Sequence, residues 1–268
     1  VTLLVTKLLL APSFVVGASL ATRRFGPRVG GLLGGLPVVA GPILLAYALA
    51  HGRGFAAGAA VGTLLGLVSL IAFVVVYAHL AARCSWAVSM LAGWLAFAVA
   101  TALFSALAVP AGAALAITGA GLLVGLALVP AARPERRVQP PPPTWDLPMR
   151  ACCALALVLT LTAVAGWLGP QLSGLLAPFP IIATVLATFT HAQRGPAEVQ
   201  QLLRWLLGGY GAFALFCFVL AVTLRPLGTA AGFALATAVA LAAQAAVLAL
   251  VARVPAAGRT AVAAESRS

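Results

Sequence analysis

The chain has 268 residues, of which 63% are hydrophobic and only 7% charged, and its mean hydropathy is +1.12. A soluble domain needs roughly 25% charged residues to coat its surface, so a water-soluble globule is excluded and lipid must solvate most of the chain. The formal charge of +12 would suit a nucleic-acid ligand, but the basic residues sit between apolar runs of about 20 residues, the pattern of a polytopic membrane protein; no nucleic-acid partner is expected.

In chain order, the first apolar run covers 7–22, opening on Lys7 and ending at Thr22-Arg23-Arg24. Ser19-Leu20-Ala21 resembles a signal-peptide cleavage site, a reading that the repeat described below argues against. Further runs cover 30–50, 55–81, 85–108 and 111–130. A Pro/Arg-rich connector over 131–150 follows, with four consecutive prolines at 140–143 that cannot continue a helix. Beyond it come runs at 151–168, 173–193, 198–222 and 229–252, then a polar tail over 253–268 expected to be disordered. The expectation is an all-α integral membrane protein of about nine transmembrane helices. Arginine position sets its orientation. With the N-terminus outside and the C-terminus cytoplasmic, twelve arginines fall on the cytoplasmic side; Lys7, Arg53 and Arg225 fall outside, and Arg204 lies within a span. If 111–130 did not cross, the connector and tail would move outside, so nine spans is the better count. The expected location is a bacterial inner membrane.

The stretch 26–40 reappears 143 residues later as 169–183, with seven of fifteen positions identical. The offset holds without a gap for Gly52/Gly195, Gly66/Gly209 and Phe73/Phe216, and upstream it pairs Lys7 with Arg150. The chain therefore divides into a first four-helix repeat (1–110), an unpaired linking helix (111–130), the connector (131–150), a second four-helix repeat (151–252) and the tail. Equivalent helices are five spans apart, an odd number, so the halves should insert in opposite directions. This 4+1+4 inverted-topology arrangement is common among secondary transporters. It also makes the first helix the counterpart of 151–168, which is no signal peptide.

The second half carries a basic residue opening its first helix (Arg150), then Gly174-Leu175 with Phe179-Pro180 and Ala183, then Arg194-Gly195. In these features it resembles the GlpM-type small four-helix bacterial inner-membrane proteins over roughly 150–250. The first half follows more loosely, with Leu36 for the Phe and His51-Gly52 for Arg-Gly. The resemblance implies a fused, internally duplicated form of that unit, and speaks to architecture rather than to activity.

Prolines mark the candidate site. Pro37 and Pro42 interrupt the second helix of one repeat, Pro178 and Pro180 that of the other. A mid-helix proline deletes a backbone hydrogen bond that lipid cannot replace. Pro37 lies nine residues past Arg28 and Pro180 nine past Gln171, about 13 Å deep from opposite faces and so near the midplane. With Gly41 and Thr184 at matched positions, these form a candidate substrate pathway; the alternative is a pair of static packing kinks. Arg204 is the one basic residue within a span, able to meet an anionic group or to snorkel. Lys7 and Arg150 read as interface anchors, and His79, His51 and His191 as residues of helix ends. Gly58/Gly62/Gly66 and Gly121/Gly125 are small-residue ladders for close helix packing, and Trp86, Trp167 and Trp205 suit an aromatic belt. The four cysteines read as apolar fillers. With no zinc signature, nucleotide loop, Ser/His/Asp set or paired carboxylates, neither an enzyme, a metal nor a cofactor is expected. The reading is a permease for a small solute or lipid working by alternating access. Its alternative is a non-transporting scaffold for envelope polysaccharide or lipid assembly. Homo-oligomerisation is compatible with either.

Overall fold

The computed structural model describes residues 2–132, 143–160 and 179–253. Among them every regular element is helical: α1 (Thr2–Phe25), α2 (Pro27–Gly34), α3 (Ala40–Ala50), α4 (Arg53–Leu80), α5 (Trp86–Ser105), α6 (Ala111–Leu128), α7 (146–160), α8 (Ile181–Arg194), α9 (Pro196–Leu227) and α10 (Thr229–Arg253). Five of these, α4, α5, α6, α9 and α10, are long and apolar enough to cross a membrane. The chain is an all-α, membrane-embedded protein. The apolar run 30–50 is divided into α2 and α3. The last residues of the expected connector, 146–150, are the first turns of α7. Most of the proline run, the end of the 151–168 run, the 169–178 copy of the repeated motif (with Gly174, Leu175 and Pro178) and the tail from 254 lie outside the described residues.

Helix starts follow the sequence offset. α4 begins at Arg53 and α9 at Pro196, α5 at Trp86 and α10 at Thr229, in each case 143 residues apart. The N-caps of α4 and α9 are Gly52 and Gly195, with φ of +85° and +86°. Side chains rarely adopt this conformation, so glycine is needed at both sites.

The centre of the molecule is α4 packed along α9. The pair is antiparallel: Gln200, in the first turns of α9, donates to the Ala78 carbonyl in the last turn of α4 at 2.9 Å. At the other end, a Cβ on Gly228 would stand 3.6 Å from the Arg53 guanidinium. α3 and α5 pack on α4 as α8 and α10 pack on α9, and α6 lies against both central helices. The Thr118 hydroxyl of α6 is shared between the Leu64 carbonyl of α4 and the Ala114 carbonyl of its own helix, each at 2.8 Å. The buried core is built on Leu64, Leu67, Phe73 and Tyr77 of α4 with Leu203, Leu207 and Leu220 of α9. Lipid is as apolar as leucine, so close packing rather than water exclusion must hold these helices together.

Glycine allows one backbone-to-backbone contact between helices. α2 lies backbone to backbone on α9: a Cβ on Gly35 would fall 2.6 Å from the Gly209 Cα, and one on Gly31 2.6 Å from the Leu202 carbonyl oxygen. The Gly121/Gly125 ladder works as expected, with Gly125 pressed on Ile71. Gly58 and Gly62 face open space instead, so that part of the expected ladder packs against no described neighbour.

Candidate functional site

α2 stops because Pro37 lacks an N–H and its ring obstructs the preceding turn. The chain tightens at Gly35, whose N–H reaches back to the Gly31 and Leu32 carbonyls, and at Leu36, which bonds to the Leu33 carbonyl at 3.0 Å. It then makes a three-residue turn around Pro37, with the Val38 N–H donating to the Leu36 carbonyl at 2.8 Å. The helix resumes as the Gly41 N–H bonds to the Pro37 carbonyl at 2.8 Å. The second break repeats the last two of these bonds. Ile181 N–H donates to the Phe179 carbonyl at 2.8 Å around Pro180, and Thr184 N–H to the Pro180 carbonyl at 2.7 Å. Pro180 has φ −74° and ψ 51°, an inverse γ-turn, which suits the fixed φ of proline. Each of these bonds is the 143-residue counterpart of the other.

The two breaks face each other across a cavity of about 40 Å³. Leu36 and Phe179, Pro37 and Pro180, Val39 and Ile182, Ala40 and Ala183, and Leu70 and Phe213 all line it, and each pair is separated by the same 143 positions. The lining therefore pairs positions related by the offset in the sequence. Among the described residues the cavity's wall carries no charged side chain. At this volume it has room for water but is far below the several hundred Å³ of a metabolite site.

The other expected site residues are distributed around this centre. Pro42 does not interrupt a helix: it occupies the first turn of α3, where an N–H would have no intrahelical partner. Gly41 faces the Phe216 ring of α9, 3.6 Å from where a Cβ would stand. Thr184 is buried and accepts a hydrogen bond from the Trp94 indole of α5 at 3.0 Å. Arg204 stands apart from the breaks; it donates to the Leu126 and Val129 carbonyls at 2.7 and 2.8 Å, satisfying orphan groups at the C-terminal end of α6. Lys7 lies on α1, with its side chain outside the described residues. Pro178 lies outside them altogether.

Arg150 is a buried member of an ionic cluster rather than a simple anchor at the interface. Asp146, expected in a polar connector, is fully buried one turn earlier on α7 and receives Arg150 at 2.9–3.0 Å, together with Arg23 of α1 and Gln193 of α8. Burial pushes the Asp146 carboxyl upward, but the hydrogen bonds from Arg150 and Gln193, the Arg150 charge and the Arg23 hydrogen bond outweigh it and hold the group below its usual range. The Arg150 guanidinium also lies 4.9 Å from the centre of the Phe189 ring. Three helices are tied together at one point. The i,i+4 spacing of Asp146 and Arg150 was a visible signal for this pair; the contributions of Arg23 and Gln193, distant in sequence, had none.

Arginines from separate connectors meet at this end of the molecule. Arg23 and Arg150 share Asp146, Arg194 acts electrostatically on Arg150, and Arg28 lies 5.6 Å from the Trp205 ring of α9. Arg53 and Arg225 lie together at the opposite end, beside Gly228 and Gly54. Among the described residues no group of histidine, cysteine, aspartate or glutamate is placed to hold a metal ion. In comparisons with known proteins, no family, no curated protein and no solved structure matches this chain.

Proposed function

We propose that the protein is a permease for a small solute or a lipid, working by alternating access about the paired breaks at Pro37 and Pro180. The carrying observation is the cavity between them, lined by five pairs of equivalent residues. Discontinuous helices meeting on a pseudo-two-fold axis are the usual construction of a transporter centre. The inverted 4+1+4 arrangement and the count of nine crossings belong to this proposal, supported by the antiparallel packing of α4 on α9 and by helix starts 143 residues apart. So do the GlpM-type ancestry and the placement of the Arg-rich end in the bacterial cytoplasm. A cavity of this size must widen to admit cargo.

The test is flux in proteoliposomes over a broad panel of metabolites and lipids, with a double Pro37→Ala, Pro180→Ala variant. Flux that falls at least about tenfold in the correctly folded variant, a barrier increase of roughly 1.4 kcal/mol, supports the proposal. Absence of flux for every compound sinks it. The small, uncharged cavity also favours a second reading, a static scaffold for envelope assembly; a stable co-purifying partner without flux would select that one.

A further inference from the structure

A second, larger space lies on the flank of α8. It is a groove of about 670 Å³ between α5, α7 and α8, open along one side and almost wholly apolar. Trp86, Trp145 and Gln193 stand at its mouth, Leu157 and Phe189 line its length, and Trp94 and Thr184 close its foot. From Gln193 to Thr184 is nine residues of helix, about 13 Å, which is close to half of a roughly 30 Å hydrocarbon core. The groove thus has the depth of one leaflet. Its mouth is at the arginine-rich end, where Arg23 and Arg150 bond to Asp146 and Arg194 acts on Arg150. The arginines at this end, Arg23, Arg28, Arg150 and Arg194, outnumber its described carboxylates, Asp146 and Glu198, and leave an excess of positive charge beside an apolar slot. Trp86 and Trp145, 44% and 54% exposed, stand where ring and N–H suit the headgroup level.

We infer that this groove is a binding site for an anionic phospholipid, with one acyl chain lying between α5, α7 and α8 and the phosphate set against the arginine end. Volume, depth and charge agree on this occupant: several hundred Å³ suits a chain-sized ligand, the length matches one leaflet, and the polar end selects a negative headgroup. The foot of the groove is only one turn of α8 from Pro180. There the Trp94 ring lies 5.5 Å from Phe179, which lines the central cavity. The site holds whether or not the breaks move, so it does not depend on the permease reading.

The experiment is native mass spectrometry of the delipidated full chain, titrated separately with dioleoyl phosphatidylglycerol, with dioleoyl phosphatidylcholine and with glycerol phosphate. The expected result is one tightly held phosphatidylglycerol, bound at least about tenfold more tightly than phosphatidylcholine (roughly 1.4 kcal/mol), and no retained glycerol phosphate. Leu157→Trp, which fills the groove, should abolish that adduct. Arg194→Gln, which leaves the bonds to Asp146 intact, should bring phosphatidylglycerol down to the level of phosphatidylcholine. Should Leu157→Trp fail to fold, judged by its melting transition, Val185→Trp on the opposite wall serves the same purpose. Equal binding of the two lipids, or tight binding that survives a folded groove-filling variant, overturns the inference. Flux is not read in this experiment, so a failed permease and an empty groove give different results.

Discussion

Asp146 shows how far a residue's context can reverse its apparent role. A carboxylate in a stretch rich in proline and arginine looks solvated, yet it is buried under donors from three helices. Removing the charge leaves Arg150 buried without its partner, and breaking such a pair costs about 3–5 kcal/mol. Asp146→Asn should therefore lower the melting temperature clearly in detergent. The pH dependence has a definite sign. A carboxyl whose folded pKa is depressed adds stability that is fully present above its unfolded pKa, about 3.9, and lost only as pH falls through the lower folded value. The difference in melting temperature between the wild type and Asp146→Asn should then stay constant from pH 8 to pH 5; a difference that shrank in that interval would contradict the depressed pKa. Arg204 makes a parallel case. Arg204→Met should cost about 1–3 kcal/mol by stranding the Leu126 and Val129 carbonyls, with hydrogen exchange rising at the end of α6.

At the scale of elements, the paired breaks were legible because proline acts locally. Its missing N–H and fixed φ act wherever it stands within a helix, so Pro37 and Pro180 were readable one residue at a time. Pro42 was misleading because position decides the outcome: it falls in the first turn of a helix whose start is set by Pro37 upstream, and even inside a helix proline need not break it, since Pro12 lies within α1 and Pro226 within α9. Glycine is less legible. Gly58 and Gly62 have ladder spacing and no described neighbour, whereas Gly31, Gly35 and Gly209 carry the backbone-to-backbone approach of α2 and α9; the difference lies in which helix arrives opposite, which no local pattern states. Gly209→Leu should overpack the α2–α9 contact, for which about 1–3 kcal/mol is an ordinary penalty, while Gly58→Leu should change stability little. A thermal shift assay on the two variants checks the contrast. The groove was invisible in the sequence because it is a space between α5, α7 and α8, three helices widely separated along the chain.

For the whole molecule, the 143-residue offset proved the most informative regularity. Carried in sequence by glycine, proline and basic residues, it reappears in helix starts, in two left-handed N-caps, in matched turns and in the lining of one cavity. The arginine count likewise has a spatial counterpart, since Arg23, Arg150 and Arg194 gather at one end and Arg53 and Arg225 at the other. A reporter fused after Val138 should read cytoplasmic and one inserted at Gly228, between α9 and α10, should read external. An external reading at Val138 or a cytoplasmic one at Gly228 would refute the nine-span, inverted arrangement.

The seat of α2 on α9 has a consequence for synthesis. α2 belongs to the first half of the chain and presents Gly31 and Gly35 to a helix that the ribosome has not yet made. Between Gly35 and Gly209 lie more than 170 residues, roughly 10–35 s of elongation at the usual 5–20 residues per second. Throughout that interval the nascent first half holds a bare glycine face in the bilayer. Neither half is a finished unit, and a chain released early would offer that face to whatever helix passes.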